Sequence, residues 1–125
     1  MSTPDQRAPQ RLRELCAALP EVTERISHGA PTFFVRDKKV LVTFHPNGIH
    51  GEHGMSLWAP APPGAQEQLV EAEPQRFYRP PYVGGRGWIG VRLDRDLDWD
   101  EIDSIVRDAY RLVAPKTLVR QLDAT

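Results

Sequence analysis

Residues 76–92 read RFYRPPYVGGRGWIGVR, a run with four arginines, four aromatic residues, four glycines and no acid. Arg76, Arg79, Arg86 and Arg92 carry planar, always-charged forks that suit phosphate or carboxylate oxygens. Phe77, Tyr78, Tyr82 and Trp88 offer flat faces on which a base or another ring can stack. Gly84, Gly85 and Gly87 let a backbone approach a ligand closely. Two chemistries fit this composition. In one, the arginines hold phosphates while Trp88 or Tyr82 stacks on an exposed base. In the other the segment is architectural: Phe77 and Tyr78 cap a core, and the arginines pair with Asp94, Asp96 and Asp98. Phe77 is the expected core residue, whereas Arg86, Trp88 and Arg92 are the leading contact candidates. Lys38 and Lys39 form a second cationic point, preceded by Arg36 and diluted by Asp37. They read as phosphate contacts at a hairpin tip or as an ordinary solvated turn.

Other constellations are weaker. His45, His50 and His53 fall within nine residues, and imidazoles in such a cluster can bind zinc. Their spacing matches no closed structural site, and the one cysteine lies far away in sequence, so no metal or other cofactor is expected. The acids Asp94, Asp96, Asp98, Asp100, Glu101 and Asp103 suit a hard cation. Asp98 and Glu101 are better explained as a helix capping box, and acids near a helix N-terminus favour the macrodipole. Cys16 lies on an apolar stripe and reads as a small core residue. Ser27 and His28 are neighbours in sequence, which makes no catalytic pair. No P-loop, dinucleotide fingerprint, HExxH or GxSxG is present, so a non-catalytic protein is expected.

The elements that must position these groups follow from periodicity. Leu12, Leu15, Cys16 and Leu19 make one apolar stripe, which predicts a helix over 5–19 with Pro4 in its first turn. Residues 21–30 read as a connection with a turn at SHGAP. TFFVR (32–36) and KVLVTFH (39–45) form a hairpin, with Val40, Val42 and Phe44 on one face and Leu41, Thr43 and His45 on the other. Asn47-Gly48 marks a further turn, 55–59 a short strand, and 65–73 a short helix. Residues 88–93 form a fourth strand, with Trp88, Gly90 and Arg92 on one face. The last helix starts after Asp98 and carries Ile102, Ile105, Val106, Ala109 and Val113 as its core stripe. The order is α-β-β-β-α-β-α: an α+β domain with a mostly antiparallel sheet packed on the first and last helices.

A chain of 125 residues fits one domain, with fraying expected at 1–4 and 116–125. Net charge is −1, which argues against a general electrostatic coater of DNA but leaves room for a local basic face. A lone cysteine excludes an internal disulfide and fits a reducing compartment. No apolar run reaches the roughly 20 residues of a membrane span, and no signal-type segment opens the chain. A cytoplasmic, monomeric protein without membrane partners is expected.

Several stretches carry a family resemblance: ALPEVTER, PTFFVRDKKVLVTF, MSLWA, RFYRPPYVGGRGWIGVRL and DWDEI. Over residues 10–115 the chain resembles the MmcQ/YjbR family of small bacterial proteins. That resemblance implies a bacterial frataxin-like fold with two hairpin wings and a DNA-binding role. Many members carry a His-Met-Asn-Lys-type run before the tryptophan; here Val83, Gly84, Gly85 and Arg86 stand there, with Trp88 kept. The expected partner is DNA or another nucleic acid, held by Arg76, Arg79, Tyr82, Arg86, Trp88, Arg92, Lys38 and Lys39. The alternatives are a small anionic or aromatic ligand on the same Trp/Arg face and a protein-interaction module.

Overall fold

The computed structural model describes residues 7–48, 54–95 and 97–124. His50, His53, Asp96 and Pro4, all invoked above, lie outside the described residues. The chain runs α1 (Ala8–Ala17), β1 (Val22–Ser27), β2 (Ala30–Val35), β3 (Lys39–His45), β4 (Ser56–Ala59) and α2 (Ala65–Ala72). It continues through β5 (Phe77–Tyr78), a 3-10 turn at Gly84–Arg86, β6 (Ile89–Arg92), α3 (Trp99–Val113) and α4 (Lys116–Asp123). The strands form one antiparallel sheet in the order β1-β2-β3-β4-β6-β5. The fold is α+β, as expected, with more elements than the sequence pattern suggests.

The two additional strands, β1 and β5, are at the sheet edges. β1 occupies most of the segment read as a connection. It pairs with β2 along its full length, from Val22↔Val35 to Ser27↔Ala30. The turn between them is His28-Gly29, both at positive φ (51° and 78°), as a two-residue primed turn requires. β5 pairs Phe77 with Val91 and Tyr78 with Gly90. The third addition, α4, corrects the expectation of a frayed tail: Leu118 and Leu122, one turn apart, are both buried.

The helices cover one face of the sheet. Phe33, Val42, Phe44, Leu57, Ile89 and Val91 point into a core shared with Leu12, Cys16, Ile102 and Val106. Tyr110 joins this core although it was not in the expected stripe; its hydroxyl donates to the Pro20 carbonyl at 2.8 Å, which makes burial tolerable. A β-bulge corrects the expected alternation in β3. Phe33 pairs with Val42 but Phe34 pairs with Val40, so Leu41 is an extra residue. Leu41 and Val42 both enter the core, while Val40 stays outside it. The Asp98 cap is as expected, its carboxylate accepting from the Asp100 and Glu101 amides. Glu101, however, directs its own carboxylate to Arg76 rather than closing a capping box.

Candidate ligand-binding cavity

The sheet face opposite the helices is where the polar and aromatic residues gather. Register alone puts Thr32, Thr43, Trp58 and Gly90 in one row across β2, β3, β4 and β6. Tyr78 completes the row from β5. Gly90 is where two backbones and a ring meet: a Cβ there would lie 2.5 Å from the Tyr78 ring. The ring fills the gap expected between Trp88 and Arg92. It also brings the Tyr78 hydroxyl to 2.8 Å from Trp58 Nε1, which donates to it. Trp58 is 5% exposed, so this bond satisfies a buried donor. His45 covers the other side of Trp58, with ring centroids 3.9 Å apart and a 37° tilt. The His45 Nε2 and Thr43 Oγ1 share a hydrogen bond of 3.1 Å. Burial pushes His45 below its ordinary value, towards the neutral ring.

This face carries a cavity of about 700 Å³. Thr32, Thr43, His45 and Trp58 form its floor. Lys38, Lys39 and Val40, at the start of β3, stand at one end. Arg86 and Trp88 stand at the same end, because they precede β6, whose Ile89 pairs with the last residue of β4. Ser27 and His28 line the other end, where β2 begins and β3 finishes. Tyr82 and Val83 add to the wall from the Arg/aromatic loop. Tyr82 is 79% exposed and sits at φ 68°, an uncommon conformation for a side-chain-bearing residue.

The eight predicted contact residues therefore divide. Lys38, Lys39, Tyr82, Arg86 and Trp88 converge on the cavity. Arg76 is bridged between Glu73 (2.7 Å) and Glu101. Arg92 is paired with Asp94 at 3.0 Å. Arg79 lies along the Gly84 backbone, where a Cβ would be 2.6 Å from its Cγ. Arg76, Arg79 and Arg92 are thus not lining residues. Of the expected architectural pairs only Arg92 with Asp94 forms among the described residues. The third acid named, Asp98, serves as the α3 cap. Among the described residues no acid pairs with Lys38, Lys39 or Arg86, so the cationic end of the cavity keeps its charge.

Reasoning from sequence missed Thr32, Thr43 and Trp58, and also Gln66. Gln66 is 5% exposed on α2 and its Nε2 donates to the Gly84 and Trp88 carbonyls at 2.8 and 2.5 Å. It clamps both ends of the turn that carries Arg86. A lone glutamine in a short amphipathic helix gives no signal of this in sequence. His45 was singled out as a metal candidate; here it belongs to the floor. No group of three potential metal ligands occurs among the described residues. Three acids of that run are engaged elsewhere: Asp94 with Arg92, Asp103 with Arg107 and Glu101 with Arg76.

The model of the YjbR family matches residues 17–112. The chain belongs to the YjbR family. That match spans both hairpins, the cavity floor and the Arg/aromatic loop. The crystal structure of Deinococcus radiodurans protein DR2400, described as a DUF419 domain, has a similar fold. The similarity has a TM-score of 0.69 at 20% identity and covers 90% of this chain and 85% of that one. No match was found among curated proteins. Family membership and fold are thereby settled, and what the site binds rests on its chemistry.

Proposed function

We propose that the protein is a non-catalytic binding protein whose cavity takes a small, flat or elongated organic anion. The observation that carries this is the convergence of Lys38, Lys39 and Arg86 on one end of an aromatic-floored cavity of about 700 Å³. That volume lies within the roughly 300–1,000 Å³ of small-ligand sites, which are mostly apolar with a few placed polar groups. The non-catalytic part is supported by Cys16. Burial, with a smaller contribution from Glu24, pushes this thiol up to about 12, and it sits in the core rather than the cavity. No described helix is long and apolar enough to cross a membrane. A monomer in a reducing cytoplasm is the setting we propose.

Nucleic acid is the second reading. It is favoured by the exposure of Tyr82, Arg79 and Arg86 on one loop, which offers a stacking ring between cations at the cavity rim. Two of the four loop arginines are neutralised by acids, which weakens it. The readings separate by salt dependence. Binding of duplex DNA through Z phosphates falls with a log–log slope of roughly −0.9Z. A single ligand anion at the cavity end gives a much shallower slope. Fluorescence titration of an aryl carboxylate and of labelled single- and double-stranded DNA, at low and moderate salt, tests both. Arg86→Ala should weaken the aryl anion about tenfold, ~1.4 kcal/mol. Steeply salt-dependent DNA binding with no response to the aryl anion would replace the first reading by the second.

A further inference from the structure

Each polar side chain of the cavity floor already has a hydrogen-bond partner within the protein. Trp58 Nε1 donates to Tyr78 Oη, and Thr32 Oγ1 donates to the Ala30 carbonyl at 3.0 Å. Thr43 and His45 are bonded to each other. Among the described residues no buried side-chain nitrogen or oxygen lacks a partner. The floor is also built from paired strands, so its backbone groups are engaged in the sheet. A ligand atom that reaches this surface therefore meets carbon and ring faces. The Lys and Arg side chains of the lining, Lys38, Lys39 and Arg86, are gathered at one end.

From this closed floor, and resting on the small-anion reading above, we infer that the ligand class is an amphipathic carboxylate. Its carbon-rich aryl or acyl body lies on Trp58 and His45, and its carboxylate meets the cationic end. A nucleobase fits this floor poorly. Its ring nitrogens and amino group would leave water for a floor whose polar groups are already partnered, and each group left unpaired there carries a desolvation penalty. The same argument sets a hydroxyl on the body of the ligand at a disadvantage. The His45 ring, held neutral by burial, adds no charge to the floor. What discriminates is thus the middle of the cavity, while its end supplies affinity for any anion.

The test uses the full chain and four probes: 2-naphthoate, its methyl ester, 6-hydroxy-2-naphthoate and adenosine 5′-monophosphate. Tryptophan fluorescence reads binding. The expected order is 2-naphthoate first, with the ester, the hydroxylated acid and the nucleotide each weaker by about tenfold or more. Thr43→Val frees the His45 Nε2 to face a ligand and should narrow the gap between 2-naphthoate and its hydroxylated form. Nucleotide binding as tight as that of 2-naphthoate, with both lost in Arg86→Ala, overturns this inference and leaves the small-anion reading standing. An unchanged ratio in Thr43→Val overturns the role given to the closed floor. Failure of all four probes overturns both.

Discussion

Gly90→Ala tests the architecture under the cavity most directly. Gly90 sits opposite Tyr78 in the β5–β6 pair, and a methyl group there would stand 2.5 Å from Cε2 and Cζ of the tyrosine ring. Carbon atoms in contact are separated by about 3.5–4.0 Å, so the ring has to withdraw by roughly 1 Å. That withdrawal stretches the 2.8 Å bond from Trp58 Nε1 beyond the range of a hydrogen bond. Overpacking costs about 1–3 kcal/mol. A buried donor left without its partner costs about 1–3 kcal/mol more. The sum, ~2–6 kcal/mol, is a large part of the 5–15 kcal/mol that holds a typical domain folded. Urea unfolding followed by circular dichroism and tryptophan fluorescence should show the midpoint falling at unchanged slope. Replacing Tyr78 by leucine in the same background removes the ring and should recover part of the loss, giving a coupling energy above ~0.5 kcal/mol. A cost below ~1 kcal/mol for Gly90→Ala, or strict additivity in the double variant, would refute the claim that ring and strand are in register at this point.

Four further outcomes follow from the same geometry. Cys16, buried and pushed up to about 12, should react with a thiol reagent only as fast as the protein opens, and full-rate labelling of the folded chain would contradict its core position. His45 lies below its ordinary 6.5, so the unfolded chain takes up its proton first; its contribution to stability is complete above about pH 6.5 and is lost as pH falls through that value towards the folded one. The unfolding free energy should therefore decline in that window, and less steeply in His45→Gln; identical slopes would remove His45 as the cause. Gln66→Leu leaves the Gly84 and Trp88 carbonyls without their donor and should cost about 1–3 kcal/mol in thermal unfolding while loosening the turn that carries Arg86. Arg92→Ala should leave ligand affinity within about twofold, because its charge is held by Asp94; a loss equal to that of Arg86→Ala would show that the cavity extends further along β6.

What sequence reveals here depends on whether a residue's role is local. The apolar stripes of α1 and α3 and the β2–β3 hairpin are local signals, and they were readable. β1 was not, because VTERIS is largely exposed at a sheet edge, where alternation is not enforced by burial. The usable signal was the His28-Gly29 turn, which closes a hairpin on its upstream side as well. α4 was missed because its apolar face is short: Leu118 and Leu122 are buried and Val119 packs at the core's margin. In the site, the residue types were legible and their allegiance was not. Arg76 and Arg86 look alike in sequence, yet Arg76 is taken by Glu101, 25 residues away, and Arg86 by no described acid. The floor was hidden for the same reason: Thr43, Trp58 and Tyr78 become neighbours only through strand register.

The charge of the cavity end is a consequence of where the acids are held, not of an excess of bases. The chain is almost neutral, and Asp37 stands directly before Lys38. In the folded protein Asp37 accepts from Thr23 and Arg25 on the neighbouring strand, and Arg25 in turn lies over the Phe34 ring, 3.8 Å from its centroid. The turn makes this possible, since Arg36 and Asp37 both adopt positive φ and Lys38 N donates back to the Val35 carbonyl at 3.1 Å. Asp37 is thereby engaged on the β1 side, while Lys38 and Lys39 line the cavity. A substitution that releases Asp37, such as Arg25→Gln, should then weaken anion binding without touching a lining residue. Because Arg25 and Asp37 are both exposed, the effect should be modest, about two- to fivefold, and should fade in high salt. Measured affinity for 2-naphthoate in Arg25→Gln, Asp37→Asn and the double variant decides the matter. If Asp37 acts as reasoned, Asp37→Asn tightens binding and cancels the loss in Arg25→Gln; if the two effects simply add, the cationic end owes nothing to how Asp37 is held.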